Sequence, residues 1–384
     1  MDLTILSIFL FSSLLLTTTK ALDPCVSPKS KSDHSDLSLI HIYGKCSPFN
    51  PPNPASSWVN TVLNMASKDP ERVTYLSSLV AQKTTSVPIG PGQQIVNVGN
   101  YVVRAKIGTP GQLMFMVLDT SSNAAWVPCS GCTGCSSTVT YSDSSFAATL
   151  SRDSLTLAAD VIPNYAFGCI NSVSGGSIPP QGLLGLGRGT MSLLSQSGSL
   201  YSGVFSYCLP SFKSYYFSGS LKLGPTGQPK TIRTTPLLRN PRRPSLYYVN
   251  LTGVNVGRVH IPIVPGTVIT RFVAPIYNAT RDEFRNQVKG PFSSLGAFDT
   301  CFSPMNEDVA PAITLRFSGM DLVLPAENSL IHSSSGSLAC LAMAAAPNNV
   351  NSVLNVIANL QQQNLRILFD TVNSRVGIAR ENCN

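Results

Sequence analysis

One short stretch of this chain places a single carboxylate at the end of a buried strand. The apolar run that begins at Phe115 leads into Asp119, and Thr-Ser-Ser follows before the aromatic residue Trp126. An apolar run bounded by turn-forming residues is typical of a buried β-strand. The hydroxyls of such a turn can hydrogen-bond a carboxylate. The chain must therefore fold so that Asp119 ends a strand inside a hydroxyl-rich turn.

A carboxylate in this setting has a known chemical use when it is paired. Two carboxylates that share one proton can activate water for hydrolysis without a metal or a covalent nucleophile, because two like charges so close together cannot both ionise. The Asp119 turn would supply one of the two. The sequence contains no second Asp-Thr-Gly or Asp-Ser-Gly.

The composition favours an all-β protein. Of the 384 residues only 12% are charged, whereas Gly and Pro each occur 28 times. Few charges, many turn formers and frequent runs of Val, Ile, Thr, Tyr and Leu indicate many short strands. The length leaves room for two domains.

The net charge of +8 raises a nucleic acid, an anionic membrane or an acidic polysaccharide as possible partners. The basic residues are scattered, however, and the dense group at 239–243 is more simply interpreted as a solvated loop. We therefore do not expect a nucleic-acid partner.

Residues 1–21 have the pattern of a cleaved secretory signal. The stretch from Leu3 to Leu16 is nearly all apolar but too short to span a bilayer comfortably, and Ala21 suits the cleavage site. No other segment of the sequence is long and apolar enough to cross a membrane. We expect a product secreted to the extracellular space.

Ten cysteines in an exported chain favour disulfide bonds. Cys129, Cys132 and Cys135 have a spacing that resembles a zinc site, but no fourth ligand and no histidine is close in sequence, so we expect no metal. The disulfide candidates are Cys129, Cys132, Cys135, Cys169, Cys208, Cys301, Cys340 and Cys383. Asn250 and Asn278 begin Asn-x-Thr sequons and are glycosylation candidates.

The chain divides into segments of different character. In residues 22–88 a Pro-rich break precedes a stretch, 58–82, whose apolar residues recur at helical spacing. We interpret 22–88 as a propeptide-like segment, with a retained N-terminal subdomain as the alternative. Strand patterns then predict an N-terminal β lobe at 89–228 and a C-terminal β lobe at 245–384. A Pro-rich, basic connector would join the two lobes, over 229–244, and a cleft between lobes is a common ligand site.

Short motifs along nearly the whole chain resemble those of one enzyme family. They are Leu39-Ile-His41 to Cys46, Tyr101 to Gly111, Asp119-Thr-Ser-Ser, the cysteine cluster, Phe167-Gly-Cys169, Gly182 to Gly189, Phe205 to Cys208, Phe298 to Cys301, and Ile357 to Asp370. Together they make the chain similar to the pepsin-like aspartic proteases, in the plant nepenthesin-like, atypical group. The resemblance implies an all-β, bilobal fold with an interlobe cleft that binds a polypeptide substrate, no cofactor, and a monomer.

The resemblance also implies roles for particular residues. Asp119 would be the catalytic aspartate of the N-terminal lobe, oriented by Thr120 and Ser121, although the family usually has Gly where Ser121 stands. Tyr141 resembles the flap tyrosine that closes over the substrate. Only residues 136–140 separate Tyr141 from the cysteine cluster, where the family has several tens of residues. A strand-packing role for Tyr141 therefore stays open.

The second lobe departs more seriously from the family pattern. The family has Asp-Ser-Gly-Thr before Val-Ile-Thr-Arg, whereas here Gly266 and Thr267 remain and no Asp precedes them. The segment before them also looks excised. The other acidic residues considered are unconvincing substitutes: Asp282 and Glu283 in a helical run from Ala274 to Gln287, Asp299 beside a cysteine, and Asp370 at the end of a strand.

Three functions follow as hypotheses. The first is a secreted aspartic endopeptidase whose sequence is shortened by exon loss or a mistaken gene model, and whose activity is impaired. The second is a catalytically inert pepsin-fold binding or inhibitor protein. The third is a basic relative that binds nucleic acid or polysaccharide, whose affinity would fall steeply with salt.

Overall fold

The computed structural model describes part of the chain. The described residues are 36–41, parts of 59–70, 101–129, 137–141, 144–158, 160–174, 182–197, 200–211, 219–262, 271–346 and 355–383. The expected signal segment 1–21 lies outside them, as do Cys132, Cys135, Gly266 and Thr267.

Strands dominate the described residues, which confirms the all-β prediction. The first strands are β1 (Asp36–His41), β2 (Tyr101–Ile107), β3 (Gln112–Asp119), β4 (Ala125–Pro128), β5 (Ser137–Tyr141), β6 (Ser144–Leu157), β7 (Asp160–Ser174), β8 (Leu183–Gly185), β9 (Val204–Cys208) and β10 (Gly219–Leu223). Helix α1 (Leu193–Gln196) lies between β8 and β9.

The later elements begin inside the predicted connector. They are β11 (Arg233–Pro236), β12 (Leu251–Val256), β13 (Val259–Pro262), β14 (Arg271–Phe272), α2 (Ala274–Val288), β15 (Ser293–Leu295), β16 (Phe298–Phe302), a 3₁₀ helix (Pro304–Val309), β17 (Ile313–Phe317), β18 (Met320–Val323), α3 (Ala326–Ser329), β19 (Leu330–His332), β20 (Ala339–Leu341), β21 (Ala344–Ala345), α4 (Asn359–Gln362), β22 (Leu365–Asp370) and β23 (Arg375–Arg380). The helical run predicted over Ala274 to Gln287 is thus α2.

One large sheet takes strands from both ends of the chain. Its order is β11-β23-β22-β9-β10-β1-β2-β3-β8-β4-β7-β6-β5. All six residues of β22 and all five of β9 are buried, as expected of central strands covered on both faces. At this centre Phe205 and Phe369 are register partners whose rings stack with centroids 4.7 Å apart.

The C-terminal half adds three smaller sheets. Their orders are β13-β12-β17-β18, β14-β21 and β15-β16-β20-β19. β14 pairs with β21 in parallel, just as β4 pairs in parallel with β7 in the N-terminal half. The main hydrophobic core contains residues from both halves, among them Leu184 and Leu251.

Residues of the predicted propeptide-like segment, 22–88, pair and pack with the rest of the protein. Strand β1 pairs with β10 through Asp36–Lys222 and with β2 through His41–Tyr101. The described residues of 59–70 are helical, and Val59 is buried in one cluster with Phe298. The segment thus packs against both halves of the protein.

Disulfide bonds fasten elements that are distant in sequence. Cys129 bonds Cys169, which joins the end of β4 to β7. The other two pairs among the described residues are Cys208–Cys383 and Cys301–Cys340. Cys129 therefore has a partner despite the short connection that follows it. In the part of the chain that the structure describes, no helix is both long and apolar enough to cross a membrane.

Candidate functional site

Asp119 is the last residue of β3, and its side chain is held by the turn that follows. The backbone N–H and the Oγ of Ser121 donate to Oδ1 at 2.7 and 2.6 Å. The Oγ of Ser122 donates to Oδ2 at 2.9 Å. Asp119 is half-buried. Both carboxylate oxygens are thus oriented by hydroxyl donors, as catalytic positioning requires.

The glycine-rich segment 182–189 packs closely against the turn that holds Asp119. β8 pairs in parallel with β3, which places Gly185 beside Asp119. A Cβ on Gly185 would lie 2.4 Å from the carbonyl oxygen of Ala124. The backbone N–H of Gly187 donates to the carbonyl of Ser122 at 2.8 Å, and a Cβ there would lie 2.6 Å from that oxygen. The glycines are required because backbone approaches backbone too closely for any side chain.

The C-terminal half also contacts the glycine-rich segment. The Oη of Tyr247 donates to the carbonyl of Leu186 at 2.5 Å. The backbone N–H of Arg188 donates to the carbonyl of Ser245 at 2.8 Å. Burial raises the pKa of Tyr247, so its phenol is a neutral donor. Residues 245–247 thus brace the scaffold of Asp119 from the opposite half.

The acidic residues considered as substitutes in the second half are engaged elsewhere. Asp282 pairs with Arg281 on α2, and the side chain of Glu283 accepts from Gln287. Burial acts to raise the pKa of Asp299, but hydrogen bonds from Tyr277 and Thr300 and the charges of Arg285 and Arg281 hold it below its ordinary value. Burial also acts to raise the pKa of Asp370, and bonds from Asn373 and Arg375 more than offset this.

An apolar cavity of about 200 Å³ lies beside the Asp119 turn. Thr120 and Ser121 form part of its wall, and the remainder comes from the C-terminal half and the central sheet. No Asp or Glu is among the lining residues. Among the described residues, the wall of this cavity therefore holds no second carboxylate.

The other predicted site residues are only partly described. Tyr141 ends β5 and is the register partner of Ser144, so it lies at the tip of a β5–β6 hairpin. The Nδ2 of Asn250 donates to the Oγ of Ser318 at 2.9 Å, and Asn278 is exposed on α2. The roles assigned to Gly266 and Thr267 fall outside the described residues.

Two features of the Asp119 turn do not follow from the local sequence pattern. The hydroxyl-rich turn predicts donors to the carboxylate but does not indicate that Ser122 is the donor to Oδ2. The glycines of 182–189 form a family motif, and their packing against the turn is visible only in the structure. The strict one-in-two glycine spacing at Gly185, Gly187 and Gly189 was the available signal, because it marks a close backbone approach.

Three family models match the chain. The eukaryotic aspartyl protease model matches residues 100–145. The models described as xylanase inhibitor N-terminal and xylanase inhibitor C-terminal match residues 128–225 and 246–380. The matches together span the Asp119 turn and most of both halves.

Curated relatives match over nearly the whole length. Aspartyl protease AED3 of Arabidopsis thaliana is 58% identical, covering 99% of each chain. That match runs over 446 positions, 62 more than the 384 residues of this chain, so at least 62 of its positions have no residue here. Aspartic proteinase nepenthesin-1 of Nepenthes gracilis is 31% identical, covering 74% of this chain and 78% of its own.

Solved structures show the same fold at low identity. The aspartic proteinase from Irpex lacteus aligns with a TM-score of 0.58 and 18% identity, covering 74% of this chain and 96% of its own. Basic 7S globulin from soybean aligns with a TM-score of 0.58 and 17% identity, covering 73% and 91%. With the relatives above, these likenesses establish that the chain belongs to the pepsin-like aspartic proteases, within the plant group that includes the nepenthesins.

Proposed function

We propose that this chain is an aspartic endopeptidase by descent that has lost efficient hydrolysis and keeps the ability to bind an extended polypeptide in its interlobe cleft. One observation carries the proposal. Asp119 is fully positioned by its turn, yet the sequence has no second Asp-Thr-Gly or Asp-Ser-Gly to face it.

The chemistry explains why a single carboxylate does not suffice. In the paired mechanism one carboxylate takes a proton from water while the other donates to the carbonyl oxygen of the scissile bond. Removing one member of such a cooperating set costs about 10⁴-fold or more in rate. An isolated Asp119 can hydrogen-bond a peptide, but it cannot perform both proton transfers at once.

The length of the match to AED3 supports a deletion rather than gradual sequence change. At least 62 positions of that match have no residue in this chain. We assign the losses to two places, between Cys135 and Tyr141 and just before Gly266, because intact family motifs flank both. Loss of the segment just before Gly266 removes the strand that would carry the partner aspartate.

Peptide binding is the activity that the remaining structure supports. The scaffold around Asp119 is intact, from the hydroxyl bonds to the glycine clamp and the brace from Tyr247. The soybean basic 7S globulin has the same fold. Fold alone does not fix function, and binding needs less of the site than catalysis does.

The proposal extends to the location of the chain, its division into lobes and the roles of three further residues. We propose that the chain is secreted after removal of residues 1–21 and is a monomer of two lobes, 89–228 and 245–384, joined by 229–244. Asn250 and Asn278 are proposed glycosylation sites, and Tyr141 is the proposed flap residue.

The test measures binding and cleavage on the same sample. Fluorescein-labelled denatured casein is titrated with the purified, disulfide-bonded chain at mildly acidic pH, and anisotropy and product formation are both recorded. We expect saturable binding without cleavage, and binding that persists in Asp119→Asn. Absence of saturable binding would contradict the proposal. A second titration at raised salt separates cleft binding from charge-driven binding of the acidic, phosphorylated casein to a chain of net charge +8. Phosphate-driven affinity falls steeply with salt, and we expect the saturable binding to persist.

A further inference from the structure

The positive charge of this protein is concentrated in one part of the chain. Residues 161–281 contain eleven lysines and arginines and no aspartate or glutamate. Of the totals of 27 basic and 19 acidic residues, the rest of the chain has 16 and 19, so this segment contributes +11 and the rest −3. A positive field of this kind favours anionic partners. Its densest part is the loop 239–247, which has three arginines in nine residues.

The loop 239–247 is closed at its base and fastened to the N-terminal half. The backbone N–H of Leu238 donates to the carbonyl of Tyr248 at 2.7 Å, and the two residues form an antiparallel bridge. Arg188 joins both sides of the loop. Its Nη1 donates to the carbonyl of Leu238 at 3.1 Å, and its backbone N–H donates to the carbonyl of Ser245 at 2.8 Å. A fourth arginine, from the glycine-rich segment, therefore lies at the base of the loop.

Two tight turns shape the backbone between these fastenings. The N–H of Arg243 donates to the carbonyl of Asn240 at 3.1 Å, and the N–H of Leu246 donates to the carbonyl of Arg243 at 3.4 Å. Pro241 and Pro244 are the second residues of these turns, which is the position that proline favours. The backbone that carries the arginines is thus ordered without a ligand, which reduces the entropy lost when a ligand binds.

Positive charges lie close together in this loop. Burial and the charge of Arg239 lower the pKa of Arg188, so the two guanidinium groups repel each other. Arg239 and Arg242 are exposed, and no described residue forms an ion pair with either side chain. The guanidinium group is a planar fork that pairs with a carboxylate through two hydrogen bonds. An anionic ligand would gain such pairs here and would offset the repulsion.

The loop is better suited to an acidic polysaccharide than to a nucleic acid. Single-stranded nucleic acids are bound by stacking bases on aromatic side chains. The one aromatic residue of the loop, Tyr247, donates its hydroxyl to Leu186, and the guanidinium carbon of Arg188 lies 6.0 Å from the centroid of its ring. The disulfides indicate an oxidising compartment such as the cell exterior, where polysaccharides rather than nucleic acids are the abundant polyanions.

We propose that the loop 239–247, together with Arg188, binds an acidic polysaccharide whose carboxylates pair with the guanidinium groups of Arg239 and Arg242. Arg188 and Arg243 add to the positive field that attracts the polymer. The site lies on a surface loop, so it is independent of whether the chain binds or cleaves polypeptide.

The test compares a charged polymer with its uncharged form. Polygalacturonate and its fully methyl-esterified form have the same backbone, and each is titrated into the purified, disulfide-bonded chain at neutral pH by isothermal calorimetry. We expect saturable binding of polygalacturonate that weakens as salt is raised, and no saturable binding of the ester. Failure of polygalacturonate to bind would overturn the site, and equal binding of the ester would overturn the role of the carboxylates. Tighter binding of duplex DNA, at an equal concentration of anionic groups, would overturn the choice of polysaccharide.

Matched variants test whether the loop is the site. Arg239→Gln combined with Arg242→Gln removes two exposed charges from the loop. Arg258→Gln combined with Lys289→Gln removes two exposed charges elsewhere, so the net charge of +8 falls by two in both proteins. We expect the loop variant to bind polygalacturonate about tenfold more weakly, because two exposed ion pairs are lost, and the control to bind as the parent chain does. An equal loss in both variants would show that net charge alone attracts the polymer and would overturn the site.

Discussion

Asp119 and Gly185 are direct register partners in the parallel pairing of β3 with β8. Gly185 has no room for a side chain, because the carbonyl oxygens of Ala124 and Ser122 lie 2.4 and 2.7 Å from where its Cβ would stand. The carboxylate and the glycine are therefore one structural unit. The turn can hold Asp119 in place only while the facing strand approaches it backbone to backbone.

Gly185→Ala should destabilise the protein strongly. The added methyl group must displace the backbone carbonyls of Ala124 and Ser122 in the turn after Asp119, so we expect the free energy of unfolding to fall by about 2–4 kcal/mol. Urea unfolding followed by tryptophan fluorescence measures it. Gly290→Ala is the control, since its nearest neighbour would be a side-chain nitrogen of Asn306 at 3.5 Å. Equal stability of the two variants would contradict the close-approach argument.

Glu381 should make stability depend on pH. Its side chain pairs with Arg366, which is fully buried. Burial acts to raise the pKa of Glu381, but the bond and charge of Arg366 hold it below the ordinary 4.5. Because the pKa of Glu381 is lower in the folded state than in the unfolded state, its ionised form stabilises the fold at any pH above the unfolded-state pKa. This stabilisation is lost as the pH falls through the folded-state pKa. Glu381→Gln should therefore lower stability near neutral pH, because Arg366 stays buried without its counter-charge.

The measurement compares the two proteins across pH. The stability difference between the parent chain and Glu381→Gln should be largest at neutral pH and should shrink as pH falls below about 4.5. Arg316→Gln, which breaks the exposed pair with Asp321, is the control and should change stability by less than about 1 kcal/mol. A pH-independent difference for Glu381→Gln would contradict the assigned linkage.

The disulfides Cys208–Cys383 and Cys301–Cys340 should differ in their effect on stability. Cys208 and Cys383 are separated by 175 positions, and Cys301 and Cys340 by 39. A longer closed loop loses more chain entropy in the unfolded state, so the longer pair should stabilise by about 1 kcal/mol more. Unfolding of the two double-alanine variants measures the difference. A larger loss for the shorter pair would contradict the entropic account.

The sequence predicted those parts of the site that depend on local pattern. The apolar run into Asp119 is β3, and the helical run from Ala274 to Gln287 is α2, longer by one residue at its end. The strand was predictable because an uninterrupted apolar run is typical of a buried strand, and adjacent residues Met116 and Val117 are indeed both buried. The all-β class followed from the same kind of signal repeated along the chain.

The sequence did not predict the contacts that join distant strands. β1 lies between β10 and β2, and its first residue, Asp36, pairs with Lys222. β11 lies within the predicted connector and pairs with β23. A strand's own residues encode its alternation but not its partner, since register is set by long-range burial. The contact between Tyr247 and Leu186 was missed for the same reason.

The loss of hydrolysis is tested most directly by comparing this chain with its own Asp119→Asn variant. Initial rates of cleavage of denatured casein are measured at acidic pH with and without pepstatin, and a plant relative that has both aspartates is the positive control. We predict that the chain and the variant give the same rate, at least about 10⁴-fold below the relative. Pepstatin-sensitive cleavage by the chain that Asp119→Asn abolishes would contradict the account.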